Sequence, residues 1–398
     1  MLSDLLLQSK QIVEQTDTSF SRYLMDKINW KNRLIAIKGA RGTGKTTLIL
    51  QYIFKNLPLD NSVLYISMED LYFYNNSLVS LADEFTLNGG THLFLDEVHK
   101  YPEWSREIKL IYDKHQDLNI VFTSSSILEI HKAAYDLSRR AVEYYLEELS
   151  LREFIALKHN LFLPSYTLHE VLNNHTKISK EISNSIKPVF EFNQYLLRGA
   201  YPFFLEGEDE YLQKLKNTLT IILENDLTTV YNLNFNLIYK IKKLIYAVAT
   251  SAPFKPNVTK LSERIGVSRP TLLLFLNYLE KAEIIFQLHR NQTGVSSLSK
   301  PEKIYLHNTN LIHLLADRHF SEGNIRETFF LNQVSNMHLV SYSNETDFIV
   351  DNRFSFEIGG KNKRQKQIQN LKNAFVVKDN IENGMNNIIP LWLFGFLY

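Results

Sequence analysis

Gly39-Ala40-Arg41-Gly42-Thr43-Gly44-Lys45-Thr46-Thr47 fits G-x-x-x-x-G-K-[ST] at every defined position. Its surroundings are those the pattern requires. Arg33-Leu34-Ile35-Ala36-Ile37 before it reads as a buried strand, and Leu48-Ile49-Leu50-Gln51-Tyr52-Ile53-Phe54 after it opens an apolar-faced helix. Glycines let backbone N–H groups curl around phosphate oxygens, and the helix N-terminus adds partial positive charge at the same place. The spacing therefore predicts a cradle for a nucleoside triphosphate from Gly39 to Thr47. Lys45 would reach the β- and γ-phosphates, and the Thr46 hydroxyl would ligate Mg²⁺.

Such a loop needs partners from other strands. Val63-Leu64-Tyr65-Ile66-Ser67, His92-Leu93-Phe94-Leu95-Asp96-Glu97 and Asn119-Ile120-Val121-Phe122-Thr123-Ser124 read as three further strands separated by helical stretches. That alternation predicts an α/β domain built on a parallel sheet with crossover helices. The two acids ending the third strand are suited to distinct tasks: Asp96 to hold Mg²⁺ through water, Glu97 to position or deprotonate an attacking water. An acid at the Glu97 position favours hydrolysis over phosphoryl transfer to a metabolite. Thr123-Ser124-Ser125-Ser126 supplies hydroxyls either to touch a γ-phosphate or to cap a helix. Arg139-Arg140 supplies guanidinium groups either as a finger offered to a neighbouring subunit or as surface ion pairs.

The run from Gly39 to Thr47, Phe94-Leu95-Asp96-Glu97-Val98-His99-Lys100 with Trp104, and Thr123-Ser124-Ser125-Ser126 together resemble the AAA+ family. More narrowly, the chain resembles prokaryotic ATPases that carry a C-terminal helix-turn-helix and a restriction-endonuclease-like region of unknown function. Leu149-Ser150-Leu151-Arg152-Glu153-Phe154, Gly199-Ala200-Tyr201-Pro202 and Glu224-Asn225-Asp226-Leu227 extend the match over nearly the whole chain. The resemblance implies ATP and Mg²⁺ as cofactors, with Glu97, Lys45, Ser124 and Arg140 as catalytic candidates. Two departures stand out. Ser124 occupies the position of a family glycine, and the family's Gly-Arg pair is Arg139-Arg140, which makes Arg140 the matching finger candidate.

Downstream, Asn257 to Thr271 has the parts of a helix-turn-helix: an apolar stripe at Leu261 and Ile265, Gly266 for the turn, and Pro270 early in the second helix. The second helix continues Leu272-Leu273-Leu274-Phe275-Leu276. It offers base edges mainly Arg269, Asn277 and Lys281, which favours packing against protein over groove reading. Glu327, Asp347 and Glu357 follow the order of an endonuclease-like metal set. Gly359 stands where that pattern places its lysine, and the nearest lysine is Lys361, which in an active nuclease would swing in over the two glycines; the reading favoured is a catalytically silent fold used for binding. The basic run of residues 361–366 suits phosphate contact or a solvated helix face.

At 398 residues, the chain is long enough for two to four domains. The boundaries read as residues 1–148 for ATP binding, 149–250 as a helical connector, 251–300 as a winged helix-turn-helix and 301–398 as the endonuclease-like segment. A near-balanced formal charge of +1 argues against a wholesale polyanion-coating protein but not against a local basic patch, and the absence of cysteine excludes disulfides and thiolate metal sites. No apolar run approaches a membrane span, and the expectation is a cytoplasmic protein. Function then reads as a nucleotide-driven switch or motor acting on a nucleic-acid or protein partner. DNA would enter through residues 255–290 and 361–366, and a finger in trans would imply a homo-oligomer. The competing reading is a nucleotide-gated interaction scaffold with little turnover and no DNA role.

Overall fold

The computed structural model describes residues 1–124, 137, 139–250, 255–290, 300–316, 320–364 and 368–398. The chain divides into two compact units, Met1–Glu148 and Leu149–Tyr398. Segments 149–250, 251–300 and 301–398 all contribute to the second.

The first unit runs α1 (Leu2–Glu14), β1 (Leu34–Lys38), α2 (Lys45–Asn56), β2 (Val63–Ser67), α3 (Leu78–Leu87), β3 (His92–Asp96), α4 (Trp104–Lys114), β4 (Asn119–Ser124) and β5 (Val142–Tyr145). The strands form one parallel sheet in the order β2-β3-β4-β1-β5. Alternation along the strands separates two cores. Leu34, Ala36, Leu93, Leu95, Ile120 and Phe122 face α1, α3 and α4, and join Leu81, Phe85, Trp104 and Ile108. Ile35, Ile37, Phe94 and Val121 face the other way, onto Leu48, Ile49 and Ile53 of α2 and onto Val13, Leu24 and Ile28. A sheet covered on both faces has nearly continuous apolar strands, as these are. β4 lies between β1 and β3, so the strand ending in Asp96 is not the direct neighbour of the strand feeding the P-loop.

The second unit is helical at first: α5 (Leu151–His159), α6 (Leu168–Ser183), α7 (Pro188–Arg198), α8 (Glu208–Ile221), α9 (Leu227–Tyr231) and α10 (Phe235–Thr250). Capping boxes start α5 at Ser150/Glu153 and α6 at Thr167/Glu170. Then come α11 (Val258–Ile265) and α12 (Arg269–Lys281), joined through Gly266 at φ +74°, and the antiparallel pair β6 (Ile285–Leu288) and β7 (Lys303–Leu306). Leu272, Phe275, Leu276 and Leu279 bury one face of α12. α13 (Thr309–Leu315) and α14 (Glu322–Ser335) precede a mixed sheet of order β12-β11-β10-β9-β8. Its strands are β8 (Val340–Tyr342), β9 (Phe348–Val350), β10 (Phe354–Gly359), β11 (Ala374–Lys378) and β12 (Ile388–Pro390). β12 stops at Pro390, which has no N–H to continue a ladder. Buried 3₁₀ turns from Leu391 to Phe396 follow it. Among the described residues, no helix is long and apolar enough to cross a membrane.

Candidate nucleotide site

Topology delivers the site. β1 ends at Lys38, and the chain turns through Gly39 to Gly44 into α2, at the carboxyl edge of the sheet where open α/β folds bind ligands. A Cβ on Gly39 would collide with the Leu146 carbonyl beside it. Gly44, at φ +94°, takes the left-handed conformation at the N-cap of α2. Beneath the loop, the buried Arg22 guanidinium donates to the Thr43 carbonyl, to Glu147 O at 2.7 Å and to Glu148 O at 3.1 Å. It ties the loop to the chain leaving β5. The Thr43 hydroxyl donates to Ala40 O at 3.0 Å. Lys45 is buried, its Nζ donating to Gly39 O at 3.0 Å and Ala40 O at 2.8 Å, so its charge is aimed along the loop.

Asp96 is the hub. Its Oδ2 accepts from Thr46 Oγ1 at 2.7 Å and from the Tyr65 hydroxyl at 3.0 Å, while Oδ1 accepts from Thr123 Oγ1. The Thr123 oxygen also accepts from the Glu97 N–H at 3.0 Å. Burial, and then the adjacent carboxylate, push the Tyr65 phenol far above its ordinary range, so it stays a donor. All three partners are hydroxyls, so the carboxylate is oriented without being neutralised by a cation. An all-oxygen set of this kind, with the P-loop threonine inside it, fits Mg²⁺.

Glu97 sits in the left-handed region at φ +56°, which turns its side chain away from the strand. Its Oε2 lies 3.7 Å from Arg41 Nη2 and 3.3 Å from His99 Nε2. Burial, and then the cations of Lys100, Arg41 and Lys45, push the His99 imidazole down to about 3. It is therefore neutral, and its contact with Glu97 is a hydrogen bond rather than an ion pair. With the proton on Nε2, Nδ1 accepts from Ser124 Oγ at 3.4 Å. A chain Ser124–His99–Glu97 thus joins the end of β4 to the acid after β3.

Lys45, Thr46, Asp96, Glu97 and Ser124 are brought to one edge of one sheet. Arg140 is not. It precedes β5, which runs parallel to β1, so it lies at the opposite, amino edge. There its Nε and Nη2 grip Asp113 at 2.9 and 3.0 Å. Ser125 and Ser126 lie outside the described residues. Sequence reasoning passed over Tyr65, His99 and Arg22. Tyr65 carried a weak signal, a polar tip in an apolar strand; Arg22 carried none.

Of the three acids expected in an endonuclease-like order, Glu327 and Asp347 share one lysine. Lys303 Nζ of β7 lies 3.1 Å from Glu327 Oε2 of α14 and 3.5 Å from Asp347 Oδ1. The Tyr305 hydroxyl donates to Glu327 at 2.5 Å, and Asp347 Oδ2 accepts from Ile358 N at 2.9 Å. Glu357 of β10 pairs with Lys363 at 2.5 Å. It is Lys363 rather than Lys361 that reaches this acid: a side chain on Gly359 would overlap the Lys363 stem, and the glycine lets Lys363 fold over. Burial pushes the Glu327 and Glu357 carboxyls up, with Asp347 adding repulsion to both. Among the described residues, no group of three or more His, Asp or Glu stands placed to hold a metal ion. An ammonium lies between Glu327 and Asp347 instead. In the basic run, Lys363 is thus committed to Glu357, and Lys366 lies outside the described residues.

The model of a family described as an AAA domain matches residues 31–155, and that of a domain of unknown function, DUF8612, matches residues 189–322. An uncharacterized protein of Methanocaldococcus jannaschii is 28% identical over 289 residues, which is 69% of this chain. The chain spans 61% of that relative's length. Among solved structures, the Walker-type ATPase of Pyrococcus abyssi is similar at 12% identity and a TM-score of 0.42, over 74% of this chain and 95% of that one. AMPPCP-bound DnaA of Aquifex aeolicus is similar at 15% identity and a TM-score of 0.27, over 68% and 86% of the two chains. The first unit is thus a P-loop α/β domain on a five-stranded parallel sheet, and most of it falls within the match to the AAA-domain model.

Proposed function

We propose that this chain binds ATP with Mg²⁺, hydrolyses it, and uses the change of state as a switch or motor stroke on a nucleic-acid or protein partner. The 2.7 Å contact of Thr46 Oγ1 with Asp96 Oδ2 carries the reading, because it joins the P-loop hydroxyl to the strand-end carboxylate at one point. Mg²⁺ bound there would offset charge on the β- and γ-phosphate oxygens. Loop N–H groups cradle the phosphates, and Lys45 exchanges the Gly39 and Ala40 carbonyls for phosphate oxygen. Glu97, steadied by Arg41 and His99, aligns the attacking water and receives its proton. Ser124 responds to the γ-phosphate and passes its presence to Glu97 through His99.

Steady-state ATP hydrolysis by the full chain tests this, beside Lys45→Ala and Glu97→Gln. Both variants should lose turnover, and Glu97→Gln should still bind nucleotide. Glu97→Gln turning over at the unsubstituted rate would remove Glu97 from its role. Bound ATP without hydrolysis in the unsubstituted chain would leave the interaction-scaffold reading in its place.

A further inference from the structure

The second unit carries an aromatic and basic face that the nucleotide site does not use. α10 roots itself with Ile238, Ile241, Leu244, Ile245 and Val248. Its outward stripe is Phe235, Tyr239, Lys242, Lys243 and Tyr246, at the three- and four-residue spacings that share one helix face. Phe235 is 86% exposed, Tyr239 53% and Tyr246 52%. Rings exposed to this degree contribute little to the core and are available to a partner. α10 contains no acidic residue. Tyr239, Lys242, Lys243 and Tyr246 line a cavity of about 450 Å³, with Arg264 and Ile265 of α11 as its far wall. Lys243 Nζ sits 4.6 Å from the centre of the Tyr239 ring, which puts positive charge beside a stacking face. Glu224 engages Lys242 at 2.5 Å on the half-exposed rim. Lys240 donates to Gly266 O at 2.7 Å and pins α10 to the turn after α11, so the groove has two fixed walls.

We propose that this groove binds single-stranded nucleic acid, the tyrosines stacking on bases and Lys243 with Arg264 meeting phosphates. The pairing of flat exposed rings with cations decides the ligand class. Tyr239 and Tyr246 stand about 10.5 Å apart along the helix axis, far enough to receive separate bases. Any base has a face to stack, so sequence is read weakly. A duplex keeps its bases inside, and an acidic peptide meets the cations but leaves the rings bare. The proposal does not depend on the nucleotide site.

Fluorescence anisotropy of the full chain with a short labelled oligothymidylate, over a salt series, tests it. Unlabelled duplex of equal length and polyglutamate serve as competitors. The double variant Tyr239→Ala/Tyr246→Ala should weaken binding by about tenfold or more with the salt slope kept, because stacking is lost and phosphate contacts remain. Tyr239→Phe/Tyr246→Phe should retain affinity, which separates stacking from damage to the fold. Lys243→Ala should flatten the slope of log K against log salt by about 0.7. Absence of binding at low salt, affinity indifferent to the tyrosine pair, or stronger competition by duplex or polyglutamate would overturn the proposal.

Discussion

The molecule holds two clusters of buried acids, and they are treated in opposite ways. Asp96, at the end of β3, is surrounded by the hydroxyls of Thr46, Tyr65 and Thr123. Glu327 and Asp347 are bridged by the Lys303 ammonium, and Glu357 is met by Lys363. Hydroxyls orient a carboxylate and leave its charge available to a cation from solution. A lysine cancels the charge from within and takes the place a cation would need. The same chemical group is therefore left open to a cation in one unit and met by a lysine of the chain itself in the other.

The contrast can be broken most sharply at Glu97. Glu97→Gln should lower the ATP hydrolysis rate by about 10²–10⁴-fold, the usual range for a positioned general base. Nucleotide binding, followed by equilibrium dialysis, should persist. Next in size is Lys303→Met. It leaves buried carboxylates without their cation, so the second unit should lose about 3–5 kcal/mol in urea unfolding. Asp96→Asn, whose hydroxyl neighbours can still bond an amide, should cost far less stability while impairing Mg²⁺-dependent nucleotide binding. Equal stability losses in the two variants would dissolve the comparison.

Acid separates the clusters further, with opposite signs. The folded His99 pKa of about 3 lies below its ordinary 6.5, so the unfolded chain binds the proton more readily. This stability is complete above about pH 6.5 and drains away as pH falls towards 3, by a few kcal/mol in all. The carboxyls of Glu327 and Glu357 are raised, so protonation there favours the folded state and stability grows as pH falls into the carboxylate range. Urea midpoints at pH 7 and pH 5 should therefore show a shallower decline for His99→Asn than for the unsubstituted chain, and midpoints carried down from pH 5 into the carboxylate range a steeper one for Glu357→Gln. The smallest effect belongs to Arg140→Ala. Its partly exposed pair with Asp113 is worth at most about 1 kcal/mol, and hydrolysis should be unchanged. A loss of a thousandfold would restore the finger role.

Much of the nucleotide site was readable in order along the chain. A phosphate-binding turn, its flanking strand and helix, and an apolar strand closing in two acids are each local patterns, because backbone conformation and side-chain periodicity are properties of neighbouring residues. The same holds for the turn at Gly266. Strand order is not local. The insertion of β4 between β1 and β3 brings Thr123 onto Asp96 and Ser124 onto His99, and it follows from how helices cover the two faces of the sheet. Likewise, nothing in spacing tells that Lys303 will reach Glu327, 24 residues on, and Asp347, 44 residues on, or that Arg140 will turn to the far edge. By itself, the sequence determined which groups are available for phosphate, Mg²⁺ and water. The tertiary structure decided which carboxylates keep their charge, because only the packing of distant elements chooses whether a hydroxyl or an ammonium fills the space beside them.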